Sequence, residues 1–245
     1  MRAKKPEALE YFIAGVPARV IYENEVDDIT KLVDSSQRRK DEFTRTALVE
    51  VCFIGLAAYF EAFCKNQFGS IINICPQTLN NFTLRRDGAT VKLTHLIRIA
   101  GQIHHRLGAL LAEEYDFGSA RTINSSYFDL LGITPFSKDE EAKYSEFLND
   151  RNLLVHHGGN YTIKYQGQRF QKNPLGATAH WDSLVLSRTD FSRWRRFLNG
   201  IVDKIATGSE KALRDFIKAE HIRLGKENRK ALDYLSWNDA DDYSP

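Results

Sequence analysis

The strongest hydrophobic pattern in the chain lies between about residues 40 and 68, where few residues break a helix and the middle turns are apolar on nearly every side. A helix that is apolar all round packs inside a protein or crosses a membrane. The apolar run from Val51 to Phe60 is about half of the ~20 residues that a membrane span requires, and Glu50 and Glu61 flank it. We therefore expect a central core helix and no membrane partner.

Signals at both ends define a second helix. Ser137 is followed three positions later by Glu140, and such a pair satisfies free backbone N–H groups at a helix start. Gly158 and Gly159 supply the left-handed backbone that commonly ends a helix. The spacing predicts a helix that begins after Ser137 and ends near residues 156–157.

A third helix is predicted further along the chain, with Thr189 or Asp190 as its cap. Apolar residues recur there every three or four positions, and they are Phe191, Trp194, Leu198, Ile201 and Ile205. A further helix is predicted at about 27–33, where few residues break a helix, and weaker periodicity predicts helices at about 90–100 and 107–115. The fold is therefore expected to be mainly α.

The pattern changes after the glycine pair. Residues 161–165 (YTIKY) and 183–186 (SLVL) resemble β-strands, and the polar segment between them contains Gly167, Pro174 and Gly176. We predict a small β-hairpin insertion at about residues 160–187.

The apolar residues indicate a single helical domain over residues 1–220. Beyond about Arg223 the apolar density falls, and the last residues are acidic. We predict that residues 221–245 form an acidic C-terminal tail, either mobile or used for interaction.

Composition narrows the classes of function. The 245 residues carry a net charge of +2, so any surface that binds nucleic acid has to be a local patch. The three cysteines are odd in number and widely spaced, and no histidine group has convincing zinc-ligand spacing. The N-terminal residues lack the apolar segment of a secretory signal. We expect a cytoplasmic protein without a bound metal.

One arginine interrupts the apolar face of the helix after Ser137. The apolar residues of that face are Tyr144, Phe147, Leu148, Leu154 and Val155, and Arg151 falls among them. An unpaired guanidinium is costly to bury, so Arg151 needs a carboxylate, a phosphate or a water-filled cleft. The alternative to a functional role is a structural ion pair with Glu50 or Glu61, which share one face of the central helix.

Two histidines, His156 and His157, end the same helix. An imidazole there can give or take a proton near neutral pH, although histidines at helix ends are also stabilised by the helix dipole alone. Arg188, Arg193 and Arg196 surround Trp194 and are candidates for contacts with RNA phosphates. The alternative is that Trp194 belongs to the core and the arginines form a solvated face.

The segment Arg151-Asn152-Leu153-Leu154-Val155-His156 resembles the defining pattern of the HEPN superfamily, an arginine followed by four to six residues and a histidine near a helix end. The upstream segment AAYFEAFCKNQF, which contains Glu61, looks like the glutamate-bearing second helix of the RiboL-PSP or MAE-type groups. The resemblance covers about residues 40–205. Some HEPN toxins have a tyrosine two residues after the histidine, whereas this chain has Gly158, so modification at that position is not carried over.

The resemblance implies a HEPN-type helical bundle and a homodimeric endoribonuclease that needs no metal or other cofactor. A 2′-hydroxyl of RNA would attack the adjacent phosphate and leave a cyclic phosphate. His156, or His157 in its place, would move the proton, Arg151 would stabilise the phosphorane, and Asn152 would orient the site. Glu61 would support them from the central helix.

The resemblance also implies a toxin or an effector of antiviral defence, with an antitoxin or defence-system protein as a possible partner. The alternative is a catalytically inactive HEPN module that dimerises or binds RNA or a partner protein through the same helix.

Overall fold

The computed structural model describes residues 6–36, 42–85, 91, 93–163, 165 and 183–237, without the side chains of residues 42–45, 83–85 and 104. The described residues are mainly helical, which confirms the α class. The helices are α1 (Ala18–Ser36), α2 (Glu42–Ile74), α3 (Thr78–Arg85), α4 (Leu93–Arg98), α5 (Ile103–Glu113), α6 (Ala120–Leu131), α7 (Lys138–His157), α8 (Arg188–Ala219) and α9 (Lys226–Asp233), with short 3₁₀ turns at Ala8–Tyr11 and Ala100–Gln102.

Helix α2 is the centre of the fold, as predicted. It packs against α1, α5, α7 and α8, and its buried residues include Phe53, Leu56 and Phe60. By length and composition alone the segment Thr46–Ile74 could cross a membrane. A buried core helix has the same length and composition, and the packing of α2 against the surrounding helices accounts for its apolar character.

Aromatic side chains fix α7 between α2 and α8. The ring centroids of Phe53 and Phe147 are 4.7 Å apart, and those of Phe60 and Tyr144 are 5.3 Å apart. On the other side, Phe147 lies 5.3 Å from Trp194 of α8. Such pairs contribute about 0.5–1.5 kcal/mol each beyond the burial of their area, so the rotation of α7 about its axis is closely determined.

Both predicted ends of α7 are confirmed. The Ser137 hydroxyl accepts from the backbone N–H of Glu140, and the Glu140 carboxylate accepts from the backbone N–H of Ser137. Gly158 has φ of 57° and ψ of 30°, and the Gly159 N–H donates to the Leu153 carbonyl at 3.1 Å. The left-handed glycine turns the chain away directly after His157.

Helix α8 begins two or three residues earlier than predicted, since Thr189 or Asp190 was expected as its cap. Its cap is Ser187, because the Ser187 hydroxyl accepts from the Asp190 N–H and the Asp190 carboxylate reaches back to the cap. The predicted apolar stripe is confirmed, since all its members are buried, namely Phe191, Trp194, Leu198, Ile201 and Ile205.

The predicted β-hairpin does not form in the described residues. Ile163 and Tyr165 are helical, and one antiparallel bridge joins Asn160 to Ser183. The rings of Tyr161 and Tyr165 stack at 5.1 Å, and their four-residue spacing fits one helical turn as well as one face of a strand. Residues 166–182 of the predicted insertion lie outside the described residues.

The segment predicted as a tail contains packed structure. Helix α9 contacts α2, and Leu232 and Leu235 are buried in the core. The Gln67 side-chain amide donates to the Leu235 carbonyl at 3.0 Å. The packed body therefore continues past residue 220, and the acidic residues 238–245 lie outside the described residues.

Two glycines allow α2 and α5 to approach closely. A Cβ at Gly108 would collide with the carbonyl oxygen of Gly69, and a Cβ at Gly69 would lie 2.8 Å from the carbonyl oxygen of Gly108. Asn73 joins the same helices, since its Oδ1 accepts from the Gly108 N–H at 2.7 Å. This contact therefore requires a residue without a side chain at both positions.

We expect Gly108→Ala to lower the free energy of unfolding by about 1–3 kcal/mol, because backbone atoms rather than a flexible side chain have to move. The matched control is Gly200→Ala in α8, where an added Cβ meets nothing within 4 Å. The control is expected to raise the free energy of unfolding by up to about 1 kcal/mol. Urea denaturation of both variants measures the difference, and equal effects would contradict the close contact.

Candidate functional site

Arg151 lies at the edge of the buried face of α7 and is half-buried. Its Nη1 donates to Oδ1 of Asn152 at 2.9 Å, whereas its Nε is buried without a hydrogen-bond partner. Among the described residues no carboxylate forms an ion pair with Arg151. The guanidinium therefore keeps one inward-facing N–H group without an acceptor from the described residues.

The buried face of α7 differs in part from the prediction. Tyr144, Phe147 and Leu154 are buried as expected, but Val155 is 44% exposed. Asp150 is buried in its place, at 1% exposure. Val155 therefore lies outside the buried face of α7, and Asp150 lies within it.

The two glutamates of α2 do not pair with Arg151. Burial raises the pKa of Glu50, and no positive charge opposes that rise. Burial also raises the pKa of Tyr144, which Glu61 raises further and Arg151 lowers. Glu61 and Arg151 thus both lie within electrostatic range of the Tyr144 hydroxyl, but the described residues do not supply the ion pair that a structural role of Arg151 requires.

The two histidines and Asn152 line one pocket at the end of α7. The pocket has a volume of about 190 Å³ and is lined by Asn149, Asn152, Leu153, His156, His157, Thr162 and Tyr165. Arg151 does not line this pocket, and it reaches the pocket only through its hydrogen bond to Asn152. The structure therefore brings together three of the four predicted catalytic residues and leaves the fourth on the adjacent side of the helix.

A buried hydrogen bond forms one wall of the pocket. The Tyr165 hydroxyl donates to Oδ1 of Asp150 at 2.6 Å, and the Tyr165 N–H donates to the Thr162 hydroxyl at 3.2 Å. These contacts hold the segment after α7 against the helix that carries the histidines. Sequence reasoning missed Asp150, although it lies three residues after Phe147 and four before Leu154 and so shares the face on which Arg151 was noticed.

The three arginines predicted to bind RNA lie on α8, and none of them lines this pocket. Arg188 pairs with Asp34 at 2.8 Å, and Arg193 pairs with Asp190 at 3.3 Å. Arg196 donates from Nε to the backbone of its own helix. Trp194 is 2% exposed, so its ring belongs to the core and cannot stack on a base. This arrangement favours the solvated-face interpretation for Arg188 and Arg193.

The Asp150–Tyr165 bond yields a prediction for stability. We expect Asp150→Ala to lower the free energy of unfolding by about 1–3 kcal/mol, because it leaves the buried Tyr165 hydroxyl without its acceptor. Glu146→Ala, an exposed carboxylate on the same helix, is the control and should change stability by no more than about 0.5 kcal/mol. Thermal or urea melts compare the two, and an equal effect would contradict the anchoring role.

All three cysteines are free and buried, and the described residues contain no group of three His, Cys, Asp or Glu side chains arranged to hold a metal ion. No family model, curated protein or solved structure matches the chain. The likeness to HEPN proteins therefore rests on the residues of α2 and α7 themselves.

Proposed function

We propose that this protein is a HEPN-type endoribonuclease that cleaves RNA without a metal ion. The observation that carries the proposal is the end of α7, where one small pocket contains His156, His157 and Asn152 and where Asn152 accepts a hydrogen bond from Arg151. The pocket combines groups that transfer protons with a nearby permanent cation. These are the groups that transesterification of a phosphodiester requires.

In the proposed reaction an RNA 2′-hydroxyl attacks the adjacent phosphorus, and the bond from phosphorus to the 5′ oxygen breaks. His156 or His157 accepts the proton of the 2′-hydroxyl or donates one to the leaving 5′ oxygen. Arg151 neutralises the charge that develops on the phosphorane. No carboxylate of the described residues forms an ion pair with this guanidinium, so an anionic substrate would be its partner.

The proposal includes a homodimer because one α7 helix cannot direct both side chains to one phosphorus. Arg151 and His156 are about 140° apart around a straight helix and ~7.5 Å apart along it, and Arg151 does not line the histidine pocket. A two-fold axis can bring Arg151 of one protomer to His156 of the partner subunit. Each complete centre would then take one residue from each protomer.

Exposed apolar residues on two neighbouring helices support this dimer. On α2, Val51, Ala58 and Ala62 are exposed at helical spacing, and Val51 is 66% exposed. On α7, Val155 is exposed beside the candidate site. An apolar face on the central helix is costly in water, and a second copy of the chain would cover it. The toxin or defence role and the antitoxin partner rest on the resemblance alone.

A second candidate function is a catalytically inactive HEPN module. The exposure of the two histidines at the end of α7 favours it. His156 and His157 are both exposed, and no hydrogen bond to another described residue orients either ring. A catalytic imidazole is usually oriented by a third group, so a module that only dimerises or binds a partner is consistent with this geometry.

Cleavage of mixed RNA in EDTA tests the proposed activity. We expect His156→Ala and Arg151→Ala each to lower the cleavage rate by roughly 100-fold or more, because each removes a group that acts in the transition state. Arg121→Ala, an exposed arginine of α6, and His95→Ala are matched controls and should leave the rate unchanged. The absence of cleavage by folded wild-type protein would favour the inactive module.

Mixing the two inactive variants tests the shared centre. If each centre uses Arg151 of one protomer and His156 of the partner subunit, half of the dimers in an equal mixture are heterodimers with one intact centre. The mixture should therefore recover about a quarter of the wild-type activity. Recovery is measured after the dimers exchange subunits, and an active wild type whose variants do not complement would contradict the shared centre.

A further inference from the structure

A second and larger cavity opens where α8 ends and α9 begins. It has a volume of about 620 Å³ and is lined by Arg214, Ile217, Lys218, His221, Ile222, Arg223, Leu224, Arg229 and Leu232. Arg214 lies about 30 Å further along α8 than Trp194, because a helix rises by about 1.5 Å per residue. The cavity is therefore separate from the pocket at the end of α7, and its size is in the range of small-molecule sites.

The polar part of the lining is basic. It contains four permanent cations and one histidine, and no carboxylate. Arg214 already pairs with Glu210 and Asp233. Lys218, Arg223 and Arg229 form no ion pair with any described residue, although the net charge of the whole chain is only +2. Lys218 at the end of α8 also benefits from the helix dipole, but Arg223 and Arg229 lie outside α8.

The remaining part of the lining is apolar. Ile217, Ile222 and Leu224 are half-buried, and Leu232 is 4% exposed. These side chains come from α8, from the loop after it and from α9, and together they form an apolar wall beside the cations. A site with an apolar wall and a few convergent charged groups is typical of pockets for small organic ligands.

His221 places an imidazole in the lining of the cavity. His221 has φ of 52°, and the Ile222 N–H donates to the Ile217 carbonyl at 3.0 Å, the bond that closes a helix through a left-handed residue. Glycine is the usual residue at this position because a side chain is disfavoured there. Histidine is one of the residue types that adopt this conformation more readily than most, and here it places an exposed imidazole at the edge of the basic cavity.

We propose that this cavity binds a phosphate monoester that carries an apolar or aromatic group. The phosphate would be held by Arg223, Arg229, Lys218 and His221, since phosphate oxygens accept charge-assisted hydrogen bonds from guanidinium, ammonium and imidazole groups. The organic group would cover Ile222 and Leu224. This proposal does not depend on ribonuclease activity.

Calorimetric titration of the full chain tests the ligand class. The probes are AMP and naphthyl phosphate, and adenosine and inorganic phosphate are the comparison ligands. We expect each organic phosphate to bind at least about tenfold more tightly than either comparison ligand, because only the former uses both halves of the cavity. Tight binding of AMP but not of naphthyl phosphate would identify the ligand as a nucleotide. Tight binding of both probes would identify organic phosphates as the ligand class. Equal binding of inorganic phosphate, or no binding of either probe, would overturn the proposal.

Variants locate the binding to this cavity. His221→Gly should weaken binding of the tighter probe by roughly tenfold, which is the effect of one lost charge-assisted hydrogen bond. Its melting temperature should stay the same or rise, because glycine suits the left-handed backbone. Arg229→Gln should weaken binding similarly, whereas Arg121→Gln and His156→Ala should bind as the wild type does. Unchanged affinity in both His221→Gly and Arg229→Gln would overturn the assignment of the site, as would loss of binding in His156→Ala.

Discussion

The packing of α7 between α2 and α8 determines most of what the candidate site can do. Tyr144 and Phe147 fill the space against Phe53, Phe60 and Trp194, and such interdigitated aromatic contacts tolerate little rotation of the helix. Each residue of α7 advances by about 100° around the axis, so this packing decides which of the polar residues that follow are buried.

The consequences are visible at four residues in the last two turns of α7, Asp150, Arg151, Asn152 and His156. Asp150 points inward and accepts from Tyr165, His156 points outward into the small pocket, and Arg151 lies at the boundary between them. Asn152 connects the guanidinium to the pocket. A single chain therefore presents its proton-transfer groups and its cation on adjacent sides of one helix, and this separation is the physical reason for proposing a centre shared by two protomers.

Local signals in the sequence predicted the elements with strong patterns. The capping pair Ser137 and Glu140 located α7, and the apolar stripe located α8. Helix α6 was missed, although Ser119 caps it with Thr122 and the left-handed Gly132 ends it, because its apolar residues are interrupted by buried Asn124, Ser126 and Asp129. The segment 161–165 was predicted as a strand because periodicity over five residues cannot distinguish one turn of helix from one strand.

The sequence by itself determined the mainly helical fold, the central helix, both ends of α7 and the presence of a guanidinium five residues before two terminal histidines, since these depend on residues within a few positions of each other. Only the tertiary structure decided that Asp150 is buried, that Glu61 and Arg151 do not pair, and that a basic cavity forms between α8 and α9. Such outcomes depend on distances between segments far apart in the chain, such as Phe53 and Phe147. Those distances are fixed by the packing of whole helices and by no local pattern of residues.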